Sequence, residues 1–387
     1  MKNLIIGHGG APTAVINASL YGVIKELKEN GFDGKILAPK FGSDGLYNEQ
    51  FVDLTDLSEE ELEVLKNTPG TAIGSSRFPL YEKEYEKIVD ILVKHDIGYV
   101  LFTGGNGSMD TCGNIYKHAK ARGVDVTCVG VPKTIDNDLG VIDHAPGFAS
   151  CANYIIQTVS DCAQDVKGLP IHVSVIEVMG RNAGWLAASS ALARKKVGDA
   201  PQLIYLPEIP FDEEKFIEDV KKEWNKRHGV VVVCSEGLKD KNGNPIVKPI
   251  FKTERATYFG DVSTHLATLI IEKLGIKARS EKPGLISRCS SALVSEVDLK
   301  EAVLMGRVAA KAALEHKNGV MAGIKRISTN PYKIEPILVP IEQVMMDERV
   351  FPKEFMKGDH DVSEEFIEWL KPLVNETKPT ITFLDND

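Results

Sequence analysis

Short apolar runs, each closed by a glycine-rich turn and followed by a helical stretch, set the rhythm of this chain. Leu4–Gly7 predicts a strand, with Gly9-Gly10-Ala11-Pro12 after it and a helix from about Thr13 to Asn30. Tyr99–Phe102 predicts a second strand, leading through Thr103-Gly104-Gly105-Asn106-Gly107-Ser108 into a helix that runs to about Arg122. Asp125–Val131 predicts a third, followed by Lys133–Leu139. Later, His172–Val178 precedes a helix near Ala183–Lys196, and Gly229–Cys234 precedes Ser235-Glu236-Gly237. Strand–helix alternation at this spacing predicts βαβ units, hence an α/β fold of mainly parallel sheets with helices on both faces. Ligands of such sheets bind beyond the carboxyl ends of the strands, where these glycine-rich turns all fall. A length of 387 residues favours two domains. A long helix expected at about Ala149–Val166 puts the boundary near Asp143–Gly147, giving lobes 1–145 and 146–387.

Composition changes this picture mainly by exclusion. With 46 basic and 55 acidic residues the net charge is −9, whereas a domain that grips nucleic acid through phosphates shows a basic excess. A local basic pocket for a small phosphorylated ligand stays open. The six cysteines form no CxxC pair, so neither a disulfide framework nor a zinc site is legible, and the pattern suits a reducing cytoplasm. No apolar run approaches the roughly 18 residues of a membrane span, and the start is too short in apolar residues for a secretory signal. The expectation is a soluble cytoplasmic protein without nucleic-acid or membrane partners.

Candidate chemistry gathers at the strand ends. Gly7-His8-Gly9-Gly10 and Gly104-Gly105-Asn106-Gly107-Ser108 are phosphate-loop candidates, since glycine lets the backbone approach an anion and a helix N-terminus supplies free N–H donors. The first carries neither the Lys-Ser/Thr of a Walker loop nor G-x-G-x-x-G spacing, so alone it reads equally well as a tight turn, but two such loops at one sheet edge favour a polyphosphate site more than either does alone. Pro132-Lys133-Thr134-Ile135-Asp136-Asn137-Asp138 is the richest segment. Its two carboxylates at i,i+2 suit a base toward a hydroxyl and a group near a cation, and Lys133 suits a phosphate. An Asx-rich turn is the competing structural reading. Met179-Gly180-Arg181, Arg77, Arg279 and Arg288 offer guanidinium groups for phosphate, although single arginines are more often surface ion pairs.

Taken in order, GHGGAP with INASLYGV, SSRFP, TGGNGS, PKTIDND, PGFAS, IEVMGRNAGWLA, SEG and the pair Arg279 and Arg288 resemble the ATP- and pyrophosphate-dependent 6-phosphofructokinase family. The resemblance implies two Rossmann-like lobes with the active site in the cleft between them, and a return crossing of the chain near its C-terminal third. It implies Asp136 as the base for the sugar 1-hydroxyl, with Lys133 and Arg77 as cations at the transferring phosphoryl group. Thr134, Ile135, Met179, Gly180, Arg181 and Glu236 are implied as fructose 6-phosphate contacts, with Arg279, Leu285 and Arg288 toward the 6-phosphate. Gly10, Gly105, Asn106, Gly107 and Ser108 are implied as the donor-phosphate cradle, and Asn106 and Asp138 as the Mg²⁺ side. A homodimer or homotetramer is implied as the assembly.

Several positions depart from the family pattern. Asn106 stands where ATP-type members have a magnesium-associated Asp, and some pyrophosphate-type members carry Asn. His172 replaces an Arg that reaches a neighbouring subunit in bacterial ATP enzymes. Leu285 replaces a His or Tyr near the 6-phosphate, which leaves a longer sugar such as sedoheptulose 7-phosphate open. Lys133 is Gly in ATP-type bacterial relatives and Lys in pyrophosphate-type ones; Gly107, usually Asp in the pyrophosphate type, points the other way. Lys133, Asn106 and His172 together favour pyrophosphate over ATP. Two rivals stand beside this reading. One is a dinucleotide oxidoreductase, which lacks the expected spacing and acidic ribose partner. The other is a catalytically silent sugar-phosphate sensor, which Asn106 and Leu285 favour and intact Asp136, Lys133 and Arg181 oppose.

Overall fold

Unbroken apolar strands need cover on both sides, and that requirement organises the fold. The computed structural model describes residues 2–252, 257–345 and 348–384. In chain order the first strands are β1 (Asn3–His8), β2 (Ile36–Pro39), β3 (Phe51–Asp53), β4 (Ile97–Gly104) and β5 (Thr127–Pro132). They are followed by β6 (Val173–Val178), β7 (Leu203–Tyr205), β8 (Val230–Ser235), β9 (Pro249–Lys252), β10 (Thr257–Phe259) and β11 (Ala278–Glu281). Two longer strands, β12 (Val320–Thr329) and β13 (Tyr332–Pro340), close the series.

The chain forms two units, Met1–Ser150 with Arg288–Arg349, and Cys151–Ser287 with Val350–Asp387. Residues 288–349 therefore belong with the first lobe, the return crossing expected near the C-terminal third, and residues 151–287 and 350–387 make up the second. The reason is packing at long sequence separation. Helix Glu296–Leu314 lies against helix Ile16–Glu29 at facing glycines: a Cβ on Gly22 would sit 2.1 Å from the Val303 carbonyl oxygen, and one on Gly306 2.0 Å from that of Ser19. β12 then pairs parallel with β5.

The first unit is built on a seven-stranded sheet, β13-β12-β5-β4-β1-β2-β3, parallel except at its two edges, where β13 and β3 run antiparallel. Side chains alternate across it with period two. Ile5, Val100 and Phe102 face Ile88, Leu92 and Ile115, while Leu4, Ile6 and Leu101 face Leu20, Ile24, Met305 and Ala309. The second unit holds a parallel sheet, β11-β6-β8-β7, with a core of Val173, Val175, Val232, Phe216, Leu266 and Ile270, and a separate β9–β10 ribbon. Observed helices start and stop a little inside or outside their expected bounds. The first begins at Ile16, not Thr13, because Thr13 bridges to Gly70 and its hydroxyl accepts from Val15 N. The helix expected near Ala183–Lys196 is a short turn, Trp185–Ser189, followed by a 3₁₀ turn, Ser190–Ala193. No helix among the described residues is long and apolar enough to cross a membrane.

Candidate active site

In the first sheet the chain moves from β1 to β2 on one side and returns to β4 on the other, so the crevice at their carboxyl ends is the topological switch point. Both glycine loops open there. Gly9 N donates to Thr103 O (2.9 Å), Gly10 N to Ser76 O (3.3 Å), and Ser75 Oγ to Gly10 O (2.6 Å). Ser108 fills the space between the loops so fully that a Cβ on Gly104 or Gly9 would lie 2.0 or 2.2 Å from its Oγ. Gly105 starts helix Asn106–Ala121 without a side-chain cap, leaving first-turn amides for an anion. Around Gly107 nothing comes within 4 Å of an added Cβ.

Lys133 reaches this crevice from the end of β5. It is only 4% exposed, its Nζ donates to Ala11 O (2.6 Å), and a Cβ on Gly10 would stand 3.6 Å from that nitrogen. Burial, opposed by Asp136 and Asp138 and reinforced by Arg288 and Arg77, brings the ammonium down to about 8. Four charged groups thus act on Lys133 in this unit: Asp136, Asp138, exposed Arg77 and half-buried Arg288. Three cations against two carboxylates leave an excess that suits a polyphosphate.

The sign of the Lys133 shift yields a test. Between pH 8 and 10.5 the unfolded chain holds this proton and the folded chain releases it, so the contribution of Lys133 to stability rises with pH across that window. Its usefulness as a cation falls over the same range. In the free enzyme, kcat/KM for a phosphate-rich donor should decline as pH rises through about 8. Lys133→Arg should move that decline to higher pH; a profile identical in both proteins would count against the lysine.

The loop carrying the carboxylates is tied down by backbone. Asp136 N donates to Thr134 Oγ1 (3.1 Å), and Thr134 N to Pro146 O (3.2 Å). Asn137 takes a left-handed φ of 53° and its Oδ1 accepts from Ala145 N (3.0 Å). Asp138 O accepts from Arg349 N (2.8 Å) and from Asn106 Nδ2 (3.4 Å). Thr134 and Ile135 are buried, whereas Asp136 is partly open to solvent.

Asn106 Oδ1 and Asp138 Oδ1 are buried oxygens with no donor among the described residues. Burial raises the Asp138 carboxyl above its ordinary range, with Thr134 and Lys133 opposing and Glu348 adding to it. Two orphaned oxygen acceptors on neighbouring groups fit a hard divalent cation. Among the described residues no group of three or more His, Cys, Asp or Glu side chains could hold a metal. Such a cation would therefore complete its shell from water and substrate phosphates.

In the second unit, β6 and β8 deliver Met179-Gly180-Arg181 and Glu236 side by side. Glu236 N donates to Val178 O (2.9 Å), and Ser235 Oγ to Gly180 O (2.6 Å). Gly237 lets the Arg181 backbone pass, since a Cβ there would lie 1.7 Å from the Arg181 carbonyl oxygen. Burial raises the Glu236 carboxyl; Arg181 and Lys282 oppose this, Glu177 reinforces it. Arg181 itself is exposed, as is Arg279 on β11. Leu285, on the short helix Leu285–Cys289, is 61% exposed. His172 is buried, and burial and Arg279 both lower its imidazole, so it does not stand in for an exposed guanidinium.

The structure thus groups Gly10, Arg77, Gly105, Asn106, Gly107, Ser108, Lys133, Thr134, Ile135, Asp136, Asp138 and Arg288 in the first unit. It groups Met179, Gly180, Arg181, Glu236, Arg279 and Leu285 in the second. Arg349, which binds Asp138 through its backbone, escaped sequence reading because no motif surrounds it. Asn137 had a signal in the Asp-Asn-Asp run, namely an Asx residue suited to positive φ.

The phosphofructokinase family model matches residues 3–313. The pyrophosphate–fructose 6-phosphate 1-phosphotransferase of Xanthomonas campestris pv. campestris is 36% identical over 97% of this chain and 92% of its own. The sulfofructose kinase of Alkalicoccus urumqiensis is 31% identical over 96% of this chain and 95% of its own. Among solved structures, the pyrophosphate-dependent phosphofructokinase of Nitrosospira multiformis superposes with a TM-score of 0.90 at 34% identity, over 99% of this chain and 94% of that one. Its paired glycine loops at the switch point, its lysine–carboxylate loop after β5 and these matches along nearly its whole length make the chain a member of the phosphofructokinase family.

Proposed function

We propose that the protein transfers a phosphoryl group from pyrophosphate to the 1-hydroxyl of fructose 6-phosphate, giving fructose 1,6-bisphosphate and phosphate. The observation that carries this reading is the buried Lys133, set beside Gly10 and within electrostatic reach of the loop carboxylates and two arginines. Pyrophosphate brings no adenosine to grip, so its orientation and charge must be managed by the protein, and a buried ammonium does both. The Asp136 carboxylate takes the proton of the sugar 1-hydroxyl. That oxygen forms a bond to the terminal phosphorus as the bridging P–O bond breaks, and phosphate leaves. Lys133, Arg77 and the amides of Asn106 and Gly107 hold the phosphate oxygens in line, with the Ser108 side chain beside the glycine loops. Asn106 and Asp138 would hold Mg²⁺, which when bound neutralises phosphate charge. Thr134, Ile135, Met179, Gly180, Arg181 and Glu236 bind the sugar, and Arg279 and Arg288 its 6-phosphate.

A coupled assay with Mg²⁺ and either pyrophosphate or ATP tests the reading; no turnover with either donor overturns it. Leu285, exposed where relatives carry a His or Tyr, makes sedoheptulose 7-phosphate the second sugar to assay. The ATP-dependent reading rests on the open space at Gly107. A homo-oligomer, dimer or tetramer, is part of the proposal and is read by light scattering.

Control by nucleotide or phosphoenolpyruvate should be weak. Where bacterial ATP-type relatives carry two arginines for effector phosphates, this chain has Tyr21 and Lys25. Tyr21 donates to Glu63 (3.0 Å), and Lys25 is held by Glu59 (2.9 Å) and Glu29 (3.7 Å), so its charge is already answered. Titrating ADP and phosphoenolpyruvate against the sugar saturation curve should leave half-saturation within about twofold, since no bidentate fork is present. A several-fold shift would refute this.

A further inference from the structure

His144 is buried to 1% exposure, yet both of its ring nitrogens meet carboxylates: Nδ1 lies 2.7 Å from Asp143 Oδ2 and Nε2 2.6 Å from Glu301 Oε2. A neutral imidazole donates from only one nitrogen, and its other lone pair would face an anionic oxygen, so this arrangement is that of an imidazolium. Burial acts to lower its pKa, but the bonds to Asp143 and Glu301 and their charges outweigh burial and raise it to about 9. The carboxylates are themselves engaged. Asp143 Oδ2 accepts from Arg326 Nε (3.1 Å) on β12, and Glu301 Oε1 from the Tyr332 hydroxyl (2.7 Å) on β13. Buried Asp298, one turn before Glu301, accepts from Gly147 N (2.8 Å) and Ser150 N (2.9 Å). Arg349 donates to the carbonyls of Ile142 and Asp143, the latter at 2.9 Å. Two cations, His144 and Arg326, thus face two carboxylates, Asp143 and Glu301, in one mostly buried cluster, with Arg349 on neighbouring carbonyls and the Asp298 carboxyl on the amides of Gly147 and Ser150. Its ties to the loop before it are direct: Ala145 N to Asn137, Thr134 N to Pro146 O, and Arg349 N to Asp138 O.

We propose that His144 is a positioning residue of the phosphoryl transfer proposed above, its two ion pairs holding the Thr134–Gly147 loop, and with it Asp136 and Asp138, against helix Glu296–Leu314. The inference rests on that reading for its kinetic consequence, and on the geometry alone for the loop. The sign of its pH dependence follows from a folded pKa above the unfolded 6.5. The clamp is at full strength below pH 6.5 and is lost as pH rises through about 9. The Lys133 decline near pH 8 is separate, acting on donor binding, whereas release of the clamp acts on kcat.

The test uses the full chain as wild type, His144→Gln and Glu301→Gln, with kcat, KM and amide-exchange protection of the 134–147 segment measured from pH 6 to 10. His144→Gln should lower kcat at pH 7 at least about tenfold with both KM values within about threefold, the pattern of a misplaced reacting group. It should also reduce protection of 134–147 at least about tenfold, by local opening. Glu301→Gln keeps a satisfied neutral arrangement, with Nδ1–H donating to Asp143 and Nε2 accepting from the new amide. It should therefore retain protection and kcat above pH 9, where the wild type loses both. Wild-type kcat and protection in His144→Gln would overturn the proposal, as would Glu301→Gln sharing the wild-type alkaline loss. If His144→Gln does not fold, the Glu301→Gln comparison decides alone. If wild type turns over neither donor, the functional reading fails while the protection measurements still decide the clamp.

Discussion

Asp136→Asn is expected to lower kcat at least about 10²-fold while leaving fold and sugar affinity nearly unchanged, the low end for loss of a general base. Such a loss is roughly 2.7 kcal/mol of transition-state stabilisation. The expectation grows from how Asp136 is held. Its amide is fixed to the Thr134 hydroxyl, its neighbours Ile135 and Asn137 are buried, Asn137 makes a left-handed turn, and Asp136 is partly open to solvent, as is Asp138. Asparagine preserves this shape and removes only the ability to accept a proton. Of the proposed sugar contacts, Met179, Gly180, Arg181 and Glu236 lie on other strands, and Thr134 and Ile135 keep their places beside an isosteric asparagine, so KM for the sugar should move little. Turnover near that of wild type in the purified variant would sink the assignment.

Lys133→Ala is expected to cost pyrophosphate more than ATP. With pyrophosphate, kcat/KM should fall about 10²-fold or more, the range for removing one preorganised charge from a water-poor phosphate site. ATP keeps contacts through its nucleoside and should lose less. The measurement is kcat/KM for both donors on wild type and variant. If wild type prefers ATP more than about tenfold and the variant harms both donors equally, the lysine is incidental and the enzyme is an ATP-type kinase. Gly107 supplies the countercheck. Its surroundings hold no atom within 4 Å of an added Cβ, so Gly107→Asp should exclude the nucleotide while sparing pyrophosphate.

Much of the first unit was legible from local pattern. Apolar runs closed by glycine mark β1, β4 and β5, because a strand covered on both faces has no polar alternation and its turn must admit a ligand or a close neighbour. The loop chemistry was legible too, since Lys133, Asp136 and Asp138 lie within six residues. What escaped was everything assembled at long range. β12 and β13 have mixed outer faces and no glycine-loop signature, and their membership of the first sheet depends on pairing with β5, nearly two hundred residues earlier. The family resemblance implied a return crossing near the C-terminal third but not its bounds, which packing sets at residues 288–349.

The sequence by itself determined the fold class, the family, and the short segments that carry chemistry, because each of these is written in neighbouring residues whose spacing physics reads directly. Only the tertiary structure decided the electrostatic state of those segments. Lys133 is in the sequence a candidate cation for phosphate; burial beside Ala11 O makes it a weaker base, its pKa drawn down to about 8. His144 is an unremarked residue in a loop; Glu301, 157 positions later, makes it a buried cation. Charge in a protein depends on which groups share a low-dielectric volume, and that volume exists only once distant parts of the chain have packed together.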